Sequence, residues 1–290
     1  MPPTSSTLQT LENFQRIEIT EYHIYRNLAK FVKEDENRRI LLQIADDERR
    51  HAEDWAQYTG KEIRPSRWNI FWYTFISRVF GFTFGIKLME RGEARAQMNY
   101  ERLRDEVPEV DRWIAEEEEH ERQLVGMLDE ERLRYAGSVV LGMNDALVEL
   151  TGALAGLTLA LRDVNLIALS GLITGIAASL SMAASEYLST RSEDTQKHPV
   201  RAAVYTGIAY IITVSLLVAP YLLFENYLLD LGIALVTGVV IIAVFNYYIS
   251  VAKDEPFRSR FLEMAGLSLG VALFSFIIGF FIRQWLGVEV

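Results

Sequence analysis

The chain has 290 residues, a formal net charge of −10, an apolar half and no cysteine. Missing thiols exclude disulfides, thiolate metal sites and thiol nucleophiles, and the negative balance argues against a nucleic-acid partner. The average conceals two unlike halves: up to Tyr135 there are 21 Lys+Arg and 27 Asp+Glu, leaving only 8 of the chain's 29 and 12 of its 39 beyond it. A charged soluble domain over 1–134 followed by a membrane domain over 135–290 is the expected organisation.

The opening MPPTSSTLQT has neither a basic start nor an apolar core, so no cleavable signal peptide is expected. From there to Tyr135 the periodicity predicts four amphipathic helices. They run from Leu8 to Lys33, Glu36 to Gly60, Arg67 to Val107 (broken or bent) and Val110 to Tyr135, with turn signals at Gly60, Pro65 and Pro108.

The second of these carries IADDERRHAEDW, with Glu48 and His51 three apart, and the fourth carries IAEEEEHERQL, with Glu117 and His120 three apart. Residues at i and i+3 share a helix face, so each pair can aim an oxygen and a ring nitrogen at one point. One such pair in a charged helix is more often a solvated face, and Glu116 to Glu119 alone would read as surface. Two pairs, plus a Glu from each remaining helix, make a di-iron carboxylate site. Helix one offers Glu18 and Glu21, and helix three offers Glu90 and Glu93. Glu18 precedes Tyr25 by seven residues and Glu93 precedes Tyr100 by seven. That echo favours Glu18 and Glu93 as ligands, with Glu21 and Glu90 open as extra ones.

The stretch RWNIFWYTFISRVFGFTFGIKL, from Arg67 to Leu88, is apolar and aromatic around Arg78. A sixth span here would put Glu18 and Glu93 on opposite sides of a membrane. Packing against the membrane surface or a partner subunit is expected instead.

Five later runs are long enough to cross a bilayer of about 30 Å, which takes about 20 helical residues. They lie near Ala136 to Leu161, Leu166 to Ser189, Val200 to Phe224, Leu231 to Val251 and Phe261 to Leu286. Arg132, Arg134, Arg191, Lys197, Arg201, Lys253, Arg258 and Arg260 fall on one side of these spans, and Arg162 and Arg283 on the other. The basic excess predicts a cytoplasmic N-terminal domain. Gly152 and Gly156, and Gly171 and Gly175, allow close helix approach either within the chain or across a dimer. Five helices are few to enclose a polar path, so a homodimer is expected.

Ionisable residues inside apolar spans are costly and point to function. Asp145 and Glu149 lie one turn apart in the first span, and Met182 and Glu186 one turn apart in the second. Carboxylates with a thioether suit a first-row divalent ion better than Ca²⁺ or Mg²⁺. Asn144 and Asn246 read as interhelical hydrogen bonders rather than ligands.

GMNDALVELTGALAGL and SMAASEYLSTRSED resemble the vacuolar iron transporter family, a likeness covering roughly Tyr135 to Val290. It implies export of Fe²⁺, and often Mn²⁺, from the cytoplasm in exchange for protons, through a dimer of five-helix subunits. The family's metal path carries over to Asp145, Met182 and Glu186, and helical spacing adds Glu149. The family's long acidic insertion is replaced here by the short TRSEDTQKHP.

Residues 8–134, through Glu18, Glu48, His51, Glu93, Glu117 and His120, resemble the rubrerythrin branch of the ferritin-like proteins. That resemblance implies a bundle binding two irons, open to Mn²⁺ or Zn²⁺ in their place, and ferrous oxidation. The rubredoxin-like Cys pairs of that branch are absent. The fusion is similar to bacterial and archaeal membrane-bound ferritins. The sequence-based expectation is therefore an all-α integral protein of a bacterial or archaeal plasma membrane. Its partners are lipid, Fe²⁺ and protons. The competing expectation is a di-iron oxidase or redox sensor whose spans only anchor it.

Overall fold

The computed structural model describes residues 5–32, 34–97, 107, 110–126, 135–193 and 197–286. Among these it contains ten α-helices, and the chain divides into two compact units, Met1–Glu130 and Glu131–Val290.

In the first unit, α1 (Ser5–Leu28) and α2 (Asp35–Thr59) run antiparallel. Phe14 meets Trp55 near one end, and Ile24 and Leu28 share a cluster with Leu41 and Ile44 near the other. Asp35 and Glu36 occupy the first turn of α2, where they complement the helix dipole. Its last turn closes on Gly60, at φ 65°, whose N–H reaches Ala56 O at 2.8 Å. α5 (Val110–Gly126) runs antiparallel to α2, with Trp113 against Trp55 and Leu124 in the cluster of Leu41 and Ile44.

The predicted third helix is two helices, α3 (Arg67–Phe80) and α4 (Phe82–Gln97), parted at Gly81, whose φ of 102° favours glycine. At about 1.5 Å per residue neither is long enough to span a bilayer. A Cβ at Gly85 would collide with Ser77, so the α3–α4 hairpin closes only with glycine there. Residues 98–106, which include the echo residue Tyr100, lie outside the described residues, so the predicted run of the third helix up to Val107 is described only as far as Gln97. Residues 127–134 lie outside them as well.

The second unit is built from α6 (Ala136–Leu161), α7 (Val164–Ser192), α8 (Pro199–Leu223), α9 (Tyr227–Lys253) and α10 (Phe257–Leu286). All five are long and apolar enough to cross a membrane. Asp163 caps α7 through Leu166 N–H, Asn226 caps α9 through Leu228 and Leu229 N–H, and Pro199 opens α8.

Leu147, Leu154, Tyr210, Leu217 and Tyr221 fill the interior, whereas Ile173, Leu180, Val236, Leu273 and Phe274 point outward. An apolar exterior of this kind belongs in lipid, where polar groups must find partners inside the bundle. They do so between helices. Thr151 meets Ser268 at 3.0 Å, Thr158 meets Tyr221 at 2.8 Å, and Thr206 donates to Ser138 O at 2.9 Å.

The glycine pairs resolve as packing within the chain. Gly152 and Gly156 face Val271 and Ser275 of α10, Gly171 faces Leu154 and Val218, and Gly175 faces Val214.

Candidate metal centre

Each Glu-x-x-His pair sits one turn apart on the inner face of its helix. α1 lies beside them, so Glu18, Glu48, His51 and Glu117 can each present a ligand atom within 4.8 Å of all the others. Glu48 and His51 are 1% and 0% exposed. The apolar cluster of Leu11, Phe14, Trp55 and Trp113 shuts one end of the site, and that of Ile24, Leu41, Ile44 and Leu124 shuts the other.

His51 Nδ1 faces Glu117 at 3.3 Å, Glu48 at 3.5 Å and Glu18 at 3.8 Å. His120 Nδ1 faces Glu48 at 3.2 Å and Glu117 at 3.8 Å. Glu48 and Glu117 therefore stand between the two imidazoles, whose ring centres are 6.0 Å apart. Glu48 Oε2 and both Nδ1 atoms are buried without a hydrogen bond. Buried polar atoms are seldom left so, and a cation among them would satisfy all three. Carboxylate and neutral imidazole suit iron, manganese or zinc, so the residues fit such an ion.

The outer ring nitrogens are held by carboxylates that the sequence reading did not single out as site residues. His51 Nε2 lies 2.6 Å from Glu116 Oε2 on α5, and His120 Nε2 lies 3.3 Å from Asp47 Oδ2 on α2. Each helix supplies the carboxylate that orients the other helix's histidine. Arg50 ties the two together, at 3.0 Å from Glu116 and 2.7 Å from Asp47. A carboxylate on Nε2–H fixes the tautomer that leaves Nδ1 free to ligate and raises its basicity. The signal was present in the sequence: an acid directly precedes the Glu of both motifs.

Electrostatics follow from the burial. Desolvation, then the Glu48 and Glu117 charges, push the Glu18 carboxyl well above its ordinary range. Burial alone would raise Glu48 too, but His120 and His51 hold it well below. Burial would strip both imidazoles of their extra proton. The Glu117 and Glu48 carboxylates override it, so His120 is pushed up to about 10 and His51 well above its usual value.

The side chains of Glu93 and Glu90 lie outside the described residues, although their backbone belongs to α4. Glu21 is buried but stands apart from the four-residue group. It lines a separate cavity of about 300 Å³ with Arg16, Ser66 and Tyr73.

In the second unit the predicted path residues are not gathered into a comparable group among the described residues. Glu186 is buried and accepts from Ser138 Oγ at 2.6 Å. Glu149 accepts from the fully buried Tyr210 hydroxyl at 2.7 Å, with Asp145 one turn away and half-buried. Met182 packs against the apolar core. Asn246 donates to Ile242 O of its own helix at 2.8 Å, rather than across helices. With Asn144, Arg260 and Glu263 it lines a cavity of about 270 Å³. Ser138, Tyr210 and Glu263 escaped the sequence reading, and Arg260 entered it only as a marker of orientation.

Against known proteins, residues 136–198 match the model of the VIT family. No curated protein and no solved structure matches the chain. The protein is an integral membrane protein whose α6, α7 and the link that follows them are similar to the VIT family.

Proposed function

We propose that the protein moves a first-row divalent cation, Fe²⁺ foremost, out of the cytoplasm across a bacterial or archaeal plasma membrane. In this reading the first unit is a cytoplasmic, ferritin-like module that captures the ion, and the protein works as a homodimer. The observation that carries it is the donor set of buried Glu18, Glu48 and His51 with half-buried Glu117, in a chain that also has five helices long and apolar enough to span a membrane. Likeness of residues 136–198 to the VIT family supports the transport half.

Cargo enters by displacing the protons of His51 and His120 and leaves when they return. In the membrane unit, Asp145, Glu149 and Glu186 are the groups available to take cation or proton, and Met182 offers a softer sulfur. Ser138 and Tyr210 hold Glu186 and Glu149 in place while either is charged. Antiport with protons follows, because a carboxylate that releases metal must take up another positive charge in an apolar span.

The test is uptake of Fe²⁺ by proteoliposomes containing the full chain. Asp145→Ala and Glu186→Ala abolish flux in this reading, and intact flux in both would overturn the path. Mn²⁺ competes at the same ligands, and its ability to inhibit Fe²⁺ uptake ranks the two metals.

The near-complete burial of Glu48 and His51 also favours a second reading, in which the first unit retains its metal. Retained irons would supply ferrous oxidation by oxygen, and the spans would only anchor the unit. Oxygen consumption on adding Fe²⁺, with no uptake into the vesicle, would establish that reading over transport.

A further inference from the structure

Among the described residues of the first unit, α3 turns a strongly apolar side outward. On α3, Ile76 and Ser77 are buried and Ile70 and Tyr73 pack against the core cluster, as an ordinary amphipathic helix requires. Its opposite stripe should then be polar. Instead Trp68, Phe71, Trp72 and Phe75, at i, i+3, i+4 and i+7, are 68%, 59%, 44% and 47% exposed. Their rings stack along the helix, Trp68 on Trp72 and Phe71 on Phe75, each pair at 6.1 Å. A contiguous aromatic ridge of this size marks a binding surface.

Charge identifies what covers it. Between residues 63 and 89 the sequence holds Arg64, Arg67, Arg78 and Lys87 and not one acid, in a half-chain where acids outnumber bases 27 to 21. Arg64 and Arg67 are exposed at the start of α3, and the Arg78 guanidinium lies 4.8 Å over the ring of Phe31, itself 48% exposed. A twofold pairing of this face with a second copy would set arginine against arginine. An anionic lipid surface meets both properties at once: its phosphates take the guanidinium donors, and the headgroup layer takes the amphipathic indoles. The same chain spans a bilayer through α6 to α10, so that surface is present at high effective concentration. At 14 residues α3 is too short to cross it and suits lying along it.

We propose that the outer face of α3, carried by Trp68, Phe71, Trp72 and Phe75 and flanked by Arg64 and Arg67, seats the first unit on the headgroup layer of an anionic bilayer. The inference does not depend on the protein transporting anything.

The five tryptophans make it measurable. Trp55 and Trp113 are 0% and 1% exposed within the first unit, and Trp285 sits at the end of α10, 88% exposed. In a Trp285→Phe background the emission that an external quencher can reach comes from Trp68 and Trp72. The full chain is placed in nanodiscs of phosphatidylcholine and phosphatidylglycerol, with or without brominated acyl chains. A Trp68→Phe, Trp72→Phe variant supplies the baseline. Brominated lipid is expected to remove most of the Trp68 and Trp72 emission, while iodide in the buffer removes little. Arg64→Ala with Arg67→Ala, or discs of phosphatidylcholine alone, should weaken the lipid quenching. Quenching by iodide and not by bromolipid would show the ridge in water, and quenching by neither would show it covered by protein. Either result overturns the proposal. Bromolipid quenching that ignores both the arginines and the lipid charge overturns the anionic part of it.

Discussion

Glu116 Oε2 lies 2.6 Å from His51 Nε2, so the histidine of α2 is oriented by a residue that directly precedes the metal-facing Glu117 of α5. Asp47 does the same for His120 in the opposite sense. The crossed pair predicts that Glu116→Ala and Asp47→Ala each weaken divalent-metal binding by about 10- to 100-fold without removing a ligand. Calorimetric titration of the full chain in detergent with Zn²⁺ or Mn²⁺ reads this directly. Unchanged affinity in both variants would mean that the outer carboxylates do not position the ligands.

Binding should release protons. The Glu117 and Glu48 carboxylates overcome burial, pushing His120 up to about 10 and His51 well above its ordinary value, so that a cation must displace a proton from each ring. Apparent affinity therefore rises with pH through the neutral range, by about tenfold per unit for each proton displaced, and falls on acidification. Titrations at pH 7 in two buffers of different ionisation heat count the protons. A count of zero contradicts ligation through these imidazoles.

The clustered carboxylates that suit a cation destabilise the fold when no cation is bound. Burial and two neighbouring carboxylates raise the Glu18 pKa in the folded state, so at any pH above its unfolded value Glu18 destabilises the fold. Glu18→Gln should raise the thermal midpoint of the metal-free protein at pH 7 while reducing metal binding. The gain shrinks as pH falls and wild-type Glu18 becomes protonated. Melting curves in chelator at pH 7 and pH 5 give the comparison, and equal gains at both pH values would refute the electrostatic cause.

What the sequence disclosed tracks the range of the signal. The spans were legible to within a few residues, because about 20 unbroken apolar residues leave helix as the one way to satisfy the backbone in lipid. Glu48 with His51, and Glu117 with His120, were legible because i, i+3 spacing acts within one helix. Asp47 and Glu116 were not singled out, since their partners lie on another helix and their own surroundings read as a charged surface. Ser138 and Tyr210 stayed hidden for the same reason: a hydroxyl in a span gives no hint of which carboxylate it reaches 48 or 61 positions away. The third helix was expected to be broken or bent, but the place of the break was not legible, because the close approach of Gly85 to Ser77 is a contact between two helices.

Close helix approach in the membrane unit can be tested at Gly142, where an added Cβ would land on the backbone of Thr206 in α8. Gly142→Ala should cost about 1–3 kcal/mol by forcing the two helices apart. Gly266→Ala on α10 is the control, because a Cβ there meets nothing within 4 Å among the described residues. Thermal unfolding in one detergent should separate the two variants, and equal midpoints would refute the tight contact.

Glu186 offers the sharpest test of the membrane path. It is buried, in a helix long and apolar enough to span the bilayer, and the Ser138 hydroxyl at 2.6 Å donates to it. A hydrogen bond to a charged group is worth about 1.5–3 kcal/mol, so Ser138→Ala should lower metal flux in proteoliposomes by about tenfold or more. Ser138→Thr keeps the hydroxyl and should restore most of the rate, which a purely structural role for the small side chain would not predict. Thr206→Val removes the bond to Ser138 O and leaves the Ser138 hydroxyl facing Glu186, so its effect should be the smaller. If Ser138→Ala transports as well as wild type while Glu186→Ala does not, Glu186 acts without its partner, and the hydroxyl is only a packing contact.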